Sequence, residues 1–262
     1  MAITAAQVKE LREMTGIGMM ECKKALTESN GDLEKAVEEL RKKGLAKAAK
    51  KADRETFEGG IKIITEGGSA YIISVACETD FLANSDKFKA MLEKIAEFLK
   101  ENGADSKEAA QEFINKEYAL EMGENLQIKD YSIVAGGTAA SYVHSNGKLA
   151  ALVVAKEAGF DEEKLKQVAM HVTAANPEYL SPADISEEIV EKEKAIQLEM
   201  MKNDPKMAEK PEQVLVNIIE GKMGKFKSEI SLLEQAFVIS PDQKVKDFVG
   251  ADSLEAFYRF AI

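Results

Sequence analysis

The sequence has no tryptophan, and its 262 residues include only two histidines, two cysteines and five prolines. So few histidines and cysteines leave no room for a metal site built from several of them. They also leave few places for a nucleophile with its base. Cys22 and Cys77 lie far apart and in no CxxC pattern, which reads as a reduced, cytoplasmic chain. No apolar run approaches the ~20 residues of a membrane span. The first residues, through Gly16, are charged and helical in pattern and lack the apolar region of a signal peptide. Positive charge is short as well: 35 basic side chains face 46 acidic ones, for a net charge of −11. That balance argues against general nucleic-acid binding, which needs a cationic face. Glycine pairs at 59–60, 67–68 and 136–137 lack the phosphate-loop and dinucleotide patterns. Neither a cofactor nor direct nucleotide binding is read from the chain.

What is present is a globular composition, 45% hydrophobic and 31% charged. Residues 1–54 read as three short helices. Thr4 and Gln7 form a capping box, and Val8, Leu11 and Met14 follow at helical spacing. Thr15-Gly16-Ile17-Gly18 breaks the pattern. Cys22, Ala25 and Leu26 mark a second apolar face, which Asn30-Gly31 ends. Asp32 caps a third helix that is expected to stop at Gly44. From Arg41 to Arg54, seven basic residues stand against Asp53 alone. This stretch reads as a solvated helical linker, or as a contact for an acidic surface or RNA phosphates. Residues 1–56 hold 12 basic and 10 acidic groups and the remainder 23 and 36, so the acidity belongs to the later chain.

From Thr56 the pattern turns to strands and helices, and it repeats. A shift of 79 residues lays Ile63-Ile64 on Tyr142-Val143 and Gly67-Gly68 on Asn146-Gly147. It also lays Val75-Ala76 on Val154-Ala155 and Phe81 on Phe160. Each copy reads as a β-hairpin followed by a helix, Lys87 to Lys100 in one and Glu162 to Ala174 in the other. An insertion at about 185–233 carries two apolar helical runs, with breakers at Asn203-Asp204-Pro205 and Lys210-Pro211. It reads as a projecting antiparallel helical hairpin. Ala256 to Ile262 alternates like a last strand. The fold class is α+β, in three parts: 1–54, a first core half at 55–140, and a second at 141–262 that holds the insertion.

Three groups of residues invite a functional reading. The Thr15–Met20 turn places Met19 and Met20 after a glycine loop; the plainer reading puts one of them in the small core. The run Ala76 to Asn84 follows a strand and carries Glu78, Asp80 and Phe81. As a catalytic site it fails, because Cys77 has no basic neighbour and two acids alone hold Mg²⁺ weakly. As an apolar wedge beside a charge it suits a protein partner. The plainer reading is a helix-capping Asp80 and a core Phe81. His144 and His171 have no serine or cysteine partner at a motif spacing, so each reads as structural.

Leu11 to Leu26, with Thr15-Gly16-Ile17-Gly18-Met19-Met20 at its centre, closely resembles the N-terminal signature of bacterial translation elongation factor Ts. Glu78-Thr79-Asp80-Phe81-Leu82-Ala83-Asn84 resembles the second signature, with Leu82 where valine is more usual. Gly123-Glu124-Asn125-Leu126, Met170-His171-Val172, Val190-Glu191-Lys192-Glu193 and Gly221 to Phe226 add further matches in order. The resemblance implies a ubiquitin-associated-like N-terminal domain, a duplicated core and a protruding helical hairpin. It implies a guanine-nucleotide exchange factor for elongation factor Tu that makes and breaks no bond. Thr79, Asp80, Phe81 and Leu82 are then the loop that enters the partner's GTPase domain and dislocates its Mg²⁺. Arg12, Met19, Met20 and Lys23 are implied to touch the same domain, and His171 to serve contact with a second one. Many family members carry a further C-terminal helical module, and this sequence ends at Ile262 where the last core strand is read.

Overall fold

A computed structural model of the chain describes residues 3–203 and 211–262. Helix α1 spans Ala5–Thr15 and starts as read: Thr4 accepts from the Gln7 N–H, and the Gln7 side chain returns to the Thr4 N–H. It ends at Gly16, whose φ of 69° is the left-handed conformation that glycine adopts at least cost. Helix α2 (Met19–Glu28) follows, and Asn30 and Gly31, both at positive φ, turn the chain. Helix α3 (Leu33–Lys51) is capped by Asp32. Val8, Leu11, Cys22, Ala25, Leu26, Ala36 and Leu40 form the core of this helical group.

Two expectations change here. Helix α3 does not stop at Gly44 but runs through it to Lys51. A Cβ at Gly44 would stand 2.9 Å from the Asn115 carbonyl oxygen and 3.2 Å from that of Lys116, so the glycine lets two backbones meet. The basic stretch is helical but not merely solvated. Arg41 pairs with Glu117 at 2.8 Å, Lys43 with Glu28 at 2.7 Å, and Arg54 with Glu78 at 3.2 Å. Lys51 donates to the Gly123 carbonyl.

By packing, the chain divides into two units. One comprises Met1–Ala135, Val143–Ala150 and Phe260–Ile262; the other comprises Gly136–Tyr142 and Ala151–Arg259. In the first, strands β1 (Glu58–Glu66) and β2 (Ser69–Cys77) form an antiparallel hairpin. Its turn is Gly67-Gly68, both at positive φ, which a two-residue turn of the right twist requires. A one-turn helix, α4 (Asp80–Ala83), leads into α5 (Asp86–Asn102). Phe88, Met91, Ile95 and Leu99 line one face of α5 and are fully buried among Ile73, Val75 and Cys77 of β2. Each such side chain contributes about 1.5–3 kcal/mol, so the end of β2 is firmly anchored. Helices α6 (Lys107–Glu117) and α7 (Ala119–Met122) then deliver the chain to β3 (Gln127–Ala135), which pairs with β2.

Strands β4 (Ala139–Val143), β5 (Leu149–Ala155) and β8 (Leu254–Ala261), most of whose residues belong to the second unit, form a sheet in the order β4-β5-β8. In both three-stranded sheets the third strand in chain order joins the second. The turn of this copy is wider than its counterpart, with only Gly147 at positive φ. Helix α8 (Glu162–Ala175) packs Leu165, Val168, Ala169 and Val172 on Ala151, Val153 and Ala155. Helices α9 (Glu187–Lys202) and α10 (Glu212–Ile230) pack through Met201, Ile219 and Met223. Gln197 accepts from Lys222 at 2.8 Å. The breakers at Asp204, Pro205 and Lys210 lie outside the described residues. Beyond α10 come the short pair β6 (Ala236–Phe237) and β7 (Ser240–Lys244), helix α11 (Val245–Val249), and β8.

Candidate functional site

The site begins where β2 ends. Thr79 is the N-cap of α4, accepting from the Leu82 N–H on its hydroxyl at 3.3 Å. Ser85 caps α5 in turn, through the Phe88 N–H at 3.2 Å. Two caps six residues apart make a single helical turn stand alone. The Asn84 side chain closes that turn by donating to the Asp80 carbonyl at 2.9 Å. A turn this short does not persist unaided, so it needs outside anchors. Leu82 supplies one by packing, half-buried, against the first core. Phe81 points the other way and is 86% exposed. The plain reading of this run, a capping Asp80 and a core Phe81, fails on both counts: Thr79 is the cap and Phe81 is the most exposed large apolar side chain described.

The second anchor is polar. One oxygen of the Glu124 carboxylate accepts the Glu78 and Thr79 backbone N–H groups at 2.8 and 2.9 Å. The other accepts the Thr79 hydroxyl at 2.5 Å. Glu78 reciprocates by accepting the Asn125 N–H at 2.7 Å. That bond, more than Arg54 beside it, holds the Glu78 carboxyl below the usual carboxylate range. Asn125 is buried, and its side-chain amide reaches the carbonyls of Ala52 and Arg54. Glu124 and Asn125 lie in the Gly123–Leu126 match, to which the sequence alone assigns no role. Their distance in sequence from Thr79 hides the contact. The one local signal is Gly123, a left-handed helix cap that puts the acid directly after a chain reversal.

The N-terminal candidates form another exposed group. Arg12 and Lys23 are exposed, and Met14, Met19 and Met20 are 63%, 56% and 77% exposed. Neither Met19 nor Met20 fills the small core; Cys22 and Ile17 do that. Beside this group a hollow of about 550 Å³ is lined by Gly16, Arg41, Glu117 and Glu121 among others. None of Thr79 to Leu82 lines it. Phe81 stands exposed on its own turn.

His171 belongs to the second unit and is buried on α8. Its Nδ1 accepts the Val238 N–H at 3.2 Å, so Nε2 carries the proton and donates to Gln235 Oε1 at 2.9 Å. Gln235 passes the chain on to the Glu229 carbonyl at 2.6 Å. Burial pushes the imidazole pKa down, and the Gln235 bond offsets this in part. Val238 and Ile239, at the tip this histidine holds, are about half exposed. So His171 itself presents no surface; it fixes one.

Among the described residues no cluster of three or more His, Cys, Asp or Glu side chains could hold a metal ion. No described helix is long and apolar enough to cross a membrane. Comparison with known proteins places these features in a family. The family described as Elongation factor TS matches residues 78–262, starting at Glu78 itself. A protein named elongation factor Ts from Ectopseudomonas mendocina (strain ymp) is 44% identical over 265 residues, covering 99% of this chain and 91% of that one.

Proposed function

The chain belongs to the elongation factor Ts family, a family of translation factors, and from that premise we propose that it promotes GDP release from elongation factor Tu. The observation that carries the reading is Phe81, an exposed aromatic ring on a capped turn whose backbone is anchored on both sides. A partner's GTPase domain offers an apolar recess beside the nucleotide's Mg²⁺, and Phe81 fills it. GDP and Mg²⁺ bind together, so a state with poor Mg²⁺ coordination binds GDP weakly. A protein that prefers that state must lower nucleotide affinity by the same factor. Phe81 supplies the differential affinity and Asp80 the charge near the metal. Arg12, Met19, Met20 and Lys23 dock on the same GTPase domain. The tip held by His171 meets a second domain. The protein itself makes and breaks no bond, binds no nucleotide or cofactor, and acts in the cytoplasm.

Stopped-flow release of fluorescent GDP from elongation factor Tu tests this. Phe81→Ala and Asp80→Ala should each slow catalysed release about tenfold or more. Wild-type rates in both variants would sink the reading. Mg²⁺ depletion without this protein supplies a second arm. If it matches the catalysed rate, metal displacement is sufficient; if it falls short, the phosphate-binding loop must also be distorted.

A further inference from the structure

The exchange reading names the residues that touch the partner but not what holds them in place. We propose that Glu124 is the positioning residue of the Phe81 turn, locking its backbone in the conformation the partner requires; the inference rests on the exchange reading. Three donors converge on one carboxylate: the N–H groups of Glu78 and Thr79, and the Thr79 hydroxyl. Asn125 returns a backbone N–H to Glu78, so two dipeptides that are distant in sequence clasp each other. Asn125 extends the clasp to the carbonyl of Ala52, the cap of α3, and Arg54 joins it through Glu78. The turn and the N-terminal helices are thereby held through one polar network.

The physical need is clear from the turn's size. Four helical residues carry little stability of their own. Without the clasp the turn frays, and the ordering cost falls on the moment of binding. The other docking groups are untouched, so association survives while the exchange-active state is reached less often. The requirement is one of reach. The carboxylate must span the hydroxyl and both N–H groups at once. Glutamine has the same length: its carbonyl can take both N–H groups and its amide can donate to the Thr79 hydroxyl. Aspartate keeps the charge but is one methylene short.

Glu124→Asp and Glu124→Gln are compared with wild type and Phe81→Ala in the GDP-release assay, over a range of exchange-factor concentration. Glu124→Asp should lower the maximal rate about fivefold or more, with the half-saturating concentration changed by less than about twofold. Glu124→Gln should stay within about twofold of wild type on both. Peptide-resolved amide hydrogen exchange of free protein over residues 78–84 should be faster in Glu124→Asp than in wild type or Glu124→Gln. A wild-type maximal rate in Glu124→Asp overturns the proposal, as does a Glu124→Gln variant equally impaired. Unchanged amide exchange in Glu124→Asp overturns the clasp whatever the rates show. Equal rates for wild type and Phe81→Ala would instead fell the exchange reading, and the amide exchange would still report on the clasp.

Discussion

Gly44 faces the Asn115 carbonyl so closely that a methyl group on its α-carbon would stand 2.9 Å from that oxygen. The contact joins the middle of α3 to the end of α6. Taken alone, helix propensity favours alanine over glycine by about 1 kcal/mol in a helix interior. Here the carbonyls of Asn115 and Lys116 are backbone and cannot swing aside. Gly44→Val should therefore destabilise the protein by about 1–3 kcal/mol, the usual cost of overpacking. Urea unfolding measures it. A stability equal to or above wild type would mean that α3 does not seat against α6 in this way.

Phe81 and its neighbour Leu82 should separate function from stability. Phe81 is 86% exposed, so Phe81→Ala should shift stability by no more than about 0.5 kcal/mol. Leu82 is half-buried against the first core, and Leu82→Ala should cost about 1–2 kcal/mol, less than a fully buried leucine would. Thermal unfolding of both variants checks the contrast. If Phe81→Ala melts as early as Leu82→Ala, the ring is packed and the wedge loses its basis.

Much of this was legible in the sequence because local rules govern it. The Thr4–Gln7 box, the Asp32 cap, the Gly67-Gly68 turn and the apolar face of α5 are all set by residues within a few positions of one another. The recurrence of turn and strand residues at one fixed offset was legible for a similar reason. Gly44 misled, because a glycine that ends a helix and a glycine that admits a neighbouring backbone look alike until the neighbour is seen. The Ala76–Asn84 loop was found, but whether Phe81 faced in or out was not decided by its own neighbours. That depends on Thr79, not Asp80, taking the cap, and on Leu82 claiming the core. Glu124 was invisible as a partner because 45 residues separate it from Thr79. The inward position of His171 was likewise set by residues more than sixty positions away, Gln235 and Val238.

His171 gives the protein a pH-dependent stability of known sign. Burial holds its pKa below the ordinary 6.5, so the folded chain keeps the ring neutral where the unfolded chain already binds a proton. The stabilisation is fully present above about pH 6.5 and falls away as the pH drops toward the folded-state pKa, by at most about 1.4 kcal/mol per pH unit. Protonation would also put a hydrogen on Nδ1, where the Val238 N–H now points. Lys225, Glu229 and Glu234 line the hollow beside the ring, and Glu234 is engaged by Lys244 and Lys246. Wild type and His171→Gln should be unfolded in urea at pH 7.5 and pH 5.5. The carboxylates contribute to both proteins, so the difference isolates the histidine. Wild type should lose more stability on acidification; parallel losses would contradict a buried neutral ring.

Cys77 provides an independent gauge of how tightly the loop is shut. Its thiol pKa is pushed up to about 12, first by burial and then by the Glu124 charge. Its Sγ–H donates to the Thr79 carbonyl at 3.3 Å, so the sulfur sits directly beneath the clasped backbone. At pH 8 only about one thiol in ten thousand is then ionised, and the thiolate is the reactive form. Iodoacetamide should leave Cys77 unmodified in the native protein over a time in which unfolded chain reacts fully, as read by mass spectrometry of the peptide that contains it. In Glu124→Asp the neighbouring charge remains and only the clasp is shortened. Modification of Cys77 should accelerate in that variant if the turn opens above it, and Cys22, held in the separate core of α1 to α3, should not respond. Rapid native modification of Cys77 in wild type would mean that the turn spends much of its time undocked. Phe81 would then not be presented on a fixed scaffold.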